Sequence, residues 1–237
     1  MDTLKSILKN GFFPRYSLEN ISIISRLDNT SIAFPLVSFC DIPIGRLKQH
    51  NKFYGYHGIG MDKNWGLGHK LNPVVYINSD TTLSKSFKTA FKGAITLNKN
   101  HGDSEYLESM RKIAAYIKPL SGKAKTIEGE NKNKEFYHEN EWRYIPINKN
   151  IQPYILEKDY KRDEDRLNKI AEEKASLKWQ PNNIRYILVR NDFDASDLID
   201  FIDHNINIIL PDTPLREYWK KLLLTKVVIL EEILEDI

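Results

Sequence analysis

The sequence predicts an α+β fold, because strand-forming and helix-forming segments alternate along it without a strict βαβ rhythm. Helical spacing recurs at Leu4, Ile7 and Leu8, across 79–92 and 104–116, and through most of the C-terminal third. Between these stand β-branched and aromatic runs, of which 73–77, 141–147 and 184–189 are the clearest. Hydrophobic residues make up 41% and charged residues 28% of the 237, a globular balance that excludes wholesale disorder. No repeat, low-complexity block or linker divides the chain, so one domain spanning 1–237 is expected, with core motifs in 3–147 and an extension over 148–237.

In chain order, Leu4, Ile7 and Leu8 share one helical face, and Gly11 is placed to end that helix. Residues 14–17 read as a loop. Short β-branched runs follow at 21–24 and at 33–39, the second broken by Pro35. Residues 45–72 hold six of the eleven glycines, and 73–77 then reads as a buried strand. Helices are expected at 79–92 and 104–116. The lysine-rich stretch 121–134 reads as an exposed, mobile connection. Residues 141–147 alternate as a strand, 157–178 form a charged helix, and 184–189 a strong strand. A helix at 195–204, a short strand at 206–210 and one long amphipathic helix over 214–236 complete the expected elements.

Thirty-five Lys and Arg against thirty-two Asp and Glu leave a net charge of +3. This mildly basic balance is compatible with RNA or DNA as a partner without requiring one. One cysteine, Cys40, excludes a disulfide scaffold and an all-cysteine zinc site, and suits a reducing cytoplasm. No apolar run approaches the ~18 residues of a membrane span. Met1-Asp2-Thr3-Leu4-Lys5 has neither the basic start nor the apolar block of a signal peptide. A cytoplasmic protein that does not meet a membrane is therefore expected.

Two segments are candidates for chemistry. In Tyr54-Gly55-Tyr56-His57-Gly58-Ile59-Gly60-Met61, glycines let backbone approach a ligand and aromatics offer stacking faces. The order of these glycines reverses the dinucleotide fingerprint, and the G-K-[ST] ending of a P-loop is missing. The same residues would equally form tight turns around a short strand. The second segment is Phe136–Tyr144. If Glu139–Tyr144 is extended, Glu139, Glu141 and Arg143 project together, opposite Trp142 and Tyr144. Two carboxylates beside a guanidinium would let one stay ionised while the other binds a ribose hydroxyl or acts as a base, or would form a solvated charged face. The six histidines form no metal-binding motif, so no metal site is expected. Cys40 reads as a buried, inert thiol. The basic segments 85–92, 111–134 and 216–226 would track phosphates or lie in solvent.

Seven strings occur together in order. They run from Leu4-x-x-Ile7-Leu8-x-x-Gly11-Phe12-x-Pro14-Arg15-Tyr16 and Val37-Ser38-Phe39-Cys40-Asp41-Ile42-Pro43 to His50-x-x-x-Tyr54-Gly55-x-x-Gly58-Ile59-Gly60. Lys63-x-Trp65-Gly66, Asn72-Pro73-Val74-x-Tyr76 and Tyr116-x-Lys118-Pro119 follow, and Phe136-Tyr137-x-Glu139-x-Glu141-Trp142-Arg143-Tyr144-x-Pro146 closes the series. Over about 3–147 the chain resembles the AbiGi family of abortive-infection proteins, the antitoxin partners of bacterial phage-resistance systems. The layout is more distantly similar to ADP-ribosyltransferase-like proteins. That likeness implies a central mixed or antiparallel sheet and NAD as substrate, with ADP-ribose passing to a nucleic acid or protein. It implies Glu141 as the catalytic glutamate and Glu139 as an aid to the acceptor. Ser38, Phe39, His50, Tyr54, Gly55 and Gly58 would line the NAD pocket, with Arg15 at the pyrophosphate. The histidine-bearing strand that opens those proteins has no counterpart ahead of Leu4 in this sequence, which would leave its part to His50 or His57, or make the chain a degenerate, non-catalytic member. The alternative implied by the same family is a non-catalytic antitoxin that neutralises a toxin encoded nearby.

Overall fold

The computed structural model describes residues 1–25, 30–102, 104–210 and 212–235. It begins with helix α1 (Asp2–Asn10) and continues into strands β1 (Arg15–Asn20) and β2 (Ser31–Cys40). Helix α2 (Leu47–Tyr54), strand β3 (Gly58–Met61) and helix α3 (Lys63–Gly68) follow. Two short strands, β4 (Asn72–Pro73) and β5 (Val75–Ile77), lead to the helices α4 (Thr82–His101) and α5 (Glu105–Ala114). Strand β6 (Ile117–Pro119) precedes the hairpin β7 (Ser121–Lys125) and β8 (Asn131–Glu135), and a 3-10 turn at Phe136–Glu139 enters β9 (Glu141–Tyr144). The rest comprises β10 (Ile155–Leu156), α6 (Glu157–Ala175), β11 (Ile184–Val189), α7 (Asp192–Ile209), α8 (Arg216–Leu224), β12 (Val227–Ile229) and α9 (Leu230–Glu235). The class is α+β. Pairing is spread over several small sheets, however, where one central sheet was expected.

Strand β2 organises the first half. Along Ser31–Leu36 it pairs antiparallel with β1, at Ile32–Ala33 with β10, and along Val37–Cys40 with β9, which also carries β4. Its alternation feeds two cores. Ile32 and Phe34 pack with Phe91 and Ala94 of α4 and Leu107 of α5. Ala33 faces Leu167, Ala171 and Ala175 of α6 together with Tyr16 and Tyr160. A strand buried on both faces reads as a continuous apolar run, as 32–36 does. In the second half, β11 lies between β3, antiparallel, and β12, parallel. Its Ile184, Ile187 and Val189 meet Leu4 and Leu8 of α1, Leu198 and Ile202 of α7 and Leu223 of α8. A fourth cluster of Phe12, Trp65, Leu71 and Leu177, with Phe39 and Trp142 against it, joins the halves.

Several expected elements differ, each for a local reason. Residues 15–20 form a strand where a loop was expected at 14–17. Pro35 does not break β2: it stands opposite Tyr16, whose N–H turns away from β2 to the Asn168 Oδ1 at 2.8 Å. This is the outward-facing type of antiparallel pair, so the nitrogen of Pro35 points to the other edge of β2, between the β10 and β9 pairings, where no ladder bond is lost. Ile21–Ile24 buries its side chains in a turn, not a strand. The polar stretch 121–134 is ordered as the hairpin β7–β8. Helix α7 continues through the strand expected at 206–210. The helix expected over 214–236 is interrupted by β12, because Val227–Ile229 completes a parallel edge of β11 that helical propensity alone would leave bare.

Helix α4 is held at its start by the Thr81 hydroxyl, which accepts from the Ser84 N–H, and stops at Gly102 in the left-handed conformation. Phe91 and Ala94 anchor its inner face. One flank sets Lys85 three residues from Lys88, and Lys88 four from Lys92. Like-charged pairs at these spacings each cost about 0.2–0.5 kcal/mol. No helix of the described residues is long and apolar enough to cross a membrane.

Gly11 closes α1 at φ +84°, and a Cβ there would stand 2.3 Å from the Leu177 carbonyl oxygen. That carbonyl accepts from the Phe12 N–H, and the Leu177 N–H returns the bond. Gly11→Ala is therefore expected to lower stability in urea unfolding by about 3 kcal/mol. Gly93, exposed within α4 and with open space where a Cβ would be, is its opposite. Gly93→Ala is expected to add roughly 0.5–1 kcal/mol in the same measurement.

Candidate functional site

The pairing of β2 with β9 sets Ser38 opposite Arg143 and Cys40 opposite Glu141. Facing residues of an antiparallel pair share one side of the sheet. Glu141 and Arg143 turn inward, 3% and 1% exposed, while Trp142 and Tyr144 turn to the aromatic cluster around Phe12 and Trp65. Glu139 precedes the strand, in the 3-10 turn, and Asn140 between them is left-handed at φ 43°. Glu139 is thus not carried by the strand alternation. It reaches the same group of side chains through its turn.

The two carboxylates are saturated with donors. The Glu141 Oε1 accepts from the Ser38 hydroxyl at 2.6 Å and the Arg143 Nε at 2.7 Å. Its Oε2 accepts from the Lys118 ammonium at 2.6 Å and from a second Arg143 nitrogen at 3.4 Å. The Glu139 Oε2 takes Lys118 at 2.9 Å, and its Oε1 takes the Tyr54 hydroxyl and the Lys134 ammonium, both at 2.6 Å. Arg143 also donates to Glu19 at 2.9 Å and to the Ala115 carbonyl at 2.7 Å. The Glu141 N–H donates to the Tyr76 hydroxyl at 2.9 Å. Three carboxylates, Glu19, Glu139 and Glu141, thus face three cations, Lys118, Lys134 and Arg143.

This network shapes the ionisation of its members. Burial pushes the Glu141 pKa up, but Arg143 and then Lys118 outweigh it and hold the carboxyl at about 2. Burial likewise opposes ionisation of Glu139, and Lys118, Lys134 and Tyr54 bring its pKa below the ordinary value. Lys118 loses solvation yet gains from Glu141 and Glu139, and its pKa rises. For Lys134 burial wins and the pKa falls. Its ammonium stands 4.2 Å from the Phe53 ring centre and 3.9 Å from that of Tyr54, a cation–π seat.

Above the network lies a cleft of about 810 Å³. Of the residues implied by resemblance, Ser38, Phe39, His50, Tyr54, Gly55, Gly58, Glu139 and Glu141 all line it. Arg15 does not. It is exposed at the start of β1, whereas Ser17 and Glu19 farther along the strand line the cleft. Gly58–Met61 is a strand paired with β11, so the glycine-bearing segment forms a wall and not a phosphate-cradling loop. Cys40 is open to the cleft, contrary to the buried position expected of it. Its strand ends there and its side chain follows Glu141 to the cleft side. Desolvation by the surrounding wall, then Glu139 and Glu141, raise its pKa to about 12, so the thiol stays protonated. His50 stacks on Tyr54 at 4.4 Å, and burial followed by Lys134 lowers its pKa. At the rim His57 meets Asp194 at 2.7 Å.

Sequence reasoning missed Glu19, Lys118 and Lys134 as members of this site. Lys118 stood in one of the seven strings, in Tyr116-x-Lys118-Pro119, without a role. Lys134 ended a stretch whose composition reads as solvated.

Residues 10–190 match the family model described as "Putative abortive phage resistance protein AbiGi, antitoxin". A curated relative from Lactococcus lactis subsp. cremoris, "Abortive phage resistance protein AbiGi", is 29% identical over 256 residues, covering 95% of this chain and 99% of the relative. No solved structure matches the chain.

The folded pKa of Glu141 lies below its ordinary 4.5, so its contribution to stability is complete above that pH and is lost as pH falls toward about 2. Glu141→Gln leaves Arg143 with Glu19 alone and Lys118 with Glu139 alone, an excess of buried positive charge, and is expected to cost about 3 kcal/mol at neutral pH. Urea unfolding across this pH window should show the variant losing less stability on acidification than the parent protein.

Proposed function

The chain belongs to the AbiGi family of abortive phage resistance proteins, and from that membership we propose that it is the neutralising, antitoxin-type component of a phage-defence pair, acting by binding a partner toxin. One observation favours binding over turnover: the charges lining the cleft are compensated from within. Lys63 holds Asp41, Arg185 holds Asp62, and Lys118 and Arg143 hold the glutamates. A dinucleotide pyrophosphate would need cations that these carboxylates already occupy, and Arg15 stands outside the cleft. A glutamate that stabilises an oxocarbenium-like transition state must direct its charge at the ligand. Here Ser38, Lys118 and Arg143 absorb that charge, and the glutamates act as cross-links in the cleft floor.

A second reading, ADP-ribose transfer from NAD, is favoured by one feature. Glu141 lines an open cleft together with Ser38–Asp41 and Tyr54–Met61. In that reading the Glu141 carboxylate would take a ribose hydroxyl from Ser38 and Lys118, and Glu139 would assist a nucleic-acid or protein acceptor.

Expression of the chain alone should leave bacterial growth unchanged, and co-expression should relieve the arrest caused by the toxin encoded beside it. Growth arrest by this chain alone overturns the antitoxin reading. Purified protein incubated with labelled NAD and cellular RNA, DNA and protein should transfer no label. Transfer that disappears in Glu141→Gln, with the fold retained by circular dichroism, would establish the second reading.

A further inference from the structure

We propose that the lysine-bearing face of α4 is a binding surface for the phosphodiester backbone of double-stranded nucleic acid. Phe91 and Ala94, with Phe87 and Ile95 beside them, mark the side of this helix that meets the core. The lysines stand on its flank, Lys85, Lys92 and Lys99 exposed and Lys88 half-buried. At about 100° per residue, Lys85, Lys88, Lys92 and Lys99 fall within about 60° of one another, in a stripe about 21 Å long. From Thr82 to His101 the sequence has no Asp or Glu. Carboxylates flank its ends, with Asp80 before the cap and Glu105 and Glu108 in the first turn of α5.

Among the described residues, surface cations elsewhere are of both kinds: Lys48, Lys112, Lys123 and Lys169 are exposed without an ion pair, and others are paired. What sets the α4 lysines apart is that four of them share one stripe with no acid in their helix. Lys5, Lys63, Arg185, Arg190 and Lys220 are surface cations, and each holds a carboxylate. Among the described residues none of the four α4 lysines forms such a pair. Their arrangement also works against the helix. Lys85 lies near its positive end, and the lysines neighbour one another at repulsive spacings. Selection for stability alone would place acids at such positions. A polyanion reverses both penalties, since each phosphate neutralises a lysine and releases a counterion.

The neighbours of the stripe decide the kind of polyanion. Thr89 and Thr96 stand beside it, their hydroxyls donating to the helix's own carbonyls, and Gly93 leaves open space. The two aromatic residues of α4, Phe87 and Phe91, pack into the core, so the outer face offers no platform for stacking unpaired bases. A straight rod of positive charge without base-reading groups suits a duplex backbone, read without regard to sequence.

The test is fluorescence anisotropy with a short labelled duplex of random sequence. With four phosphate contacts, log K should fall against log salt with a slope of about −3.6, an affinity loss of about a hundredfold between about 50 and 200 mM salt. Each Lys→Gln substitution should reduce the slope by about 0.9, with Lys85 and Lys92 mattering more for affinity than Lys99, which lies toward Glu105. Circular dichroism should show each variant folded. Absence of binding at about 50 mM salt overturns the proposal. So does unchanged affinity in K85Q/K88Q/K92Q/K99Q. Tighter binding of a single strand of the same length, or displacement of the duplex by poly-glutamate at equal charge, overturns the assignment to duplex nucleic acid.

Discussion

The ammonium of Lys118 stands between two buried carboxylates, and much of the molecule's first half is positioned by that arrangement. Taking Glu139, Glu141 and Arg143 out of water is costly, and the cost is recovered only when every partner is in place. The partners arrive from separate parts of the chain: Glu19 from β1, Ser38 from β2, Lys118 from β6, Lys134 from β8 and the Ala115 carbonyl from the end of α5. Removing any one leaves a buried charge short of a hydrogen-bond or ion-pair partner. Such a site behaves cooperatively, and the cleft above it inherits a rigid floor. The saturation that makes the floor rigid also turns its charge inward, away from anything the cleft would hold.

The two ends of β2 serve different purposes within one unbroken strand. Its first half is buried on both faces, between the α4–α5 core and the α6 core, and supplies stability. Its second half turns Val37 and Phe39 to the Phe12–Trp65 cluster and presents Ser38 and Cys40 to the cleft. Pro35 stands at the change, facing the gap between two partner strands. A strand held firmly at one end and open at the other is a sound support for functional side chains.

Much of the fold was legible because it is written in local periodicity. The strand expected at 184–189 and the helices at both ends of the charged and apolar patterns lie close to where the structure has them. The shared side of Glu141 and Arg143 followed from the period of two. What local pattern could not reveal was pairing at a distance. Val227–Ile229 reads as the continuation of an amphipathic helix until β11 is placed beside it. Lys134 reads as solvated until the hairpin carries it between Tyr54 and Glu139. Glu139 was grouped with its neighbours through an assumed extended backbone, whereas a left-handed Asn140 and a lysine from another strand bring it there. Charged residues carry little signal of burial in sequence, because their partners decide it.

The core around β11 draws on both ends of the described chain. Leu4 and Leu8 of α1 are made early, yet they pack on Ile184, Ile187 and Leu198, while β12 closes the same sheet from residues 227–229. At translation rates of about 5–20 residues per second, the first helix waits on the order of ten seconds or more on the ribosome with its leucines uncovered. A nascent chain halted before β12 would keep a bare β11 edge and an open core. Closure of this half of the molecule thereby waits on residues 227–229, long after its first helix has been made.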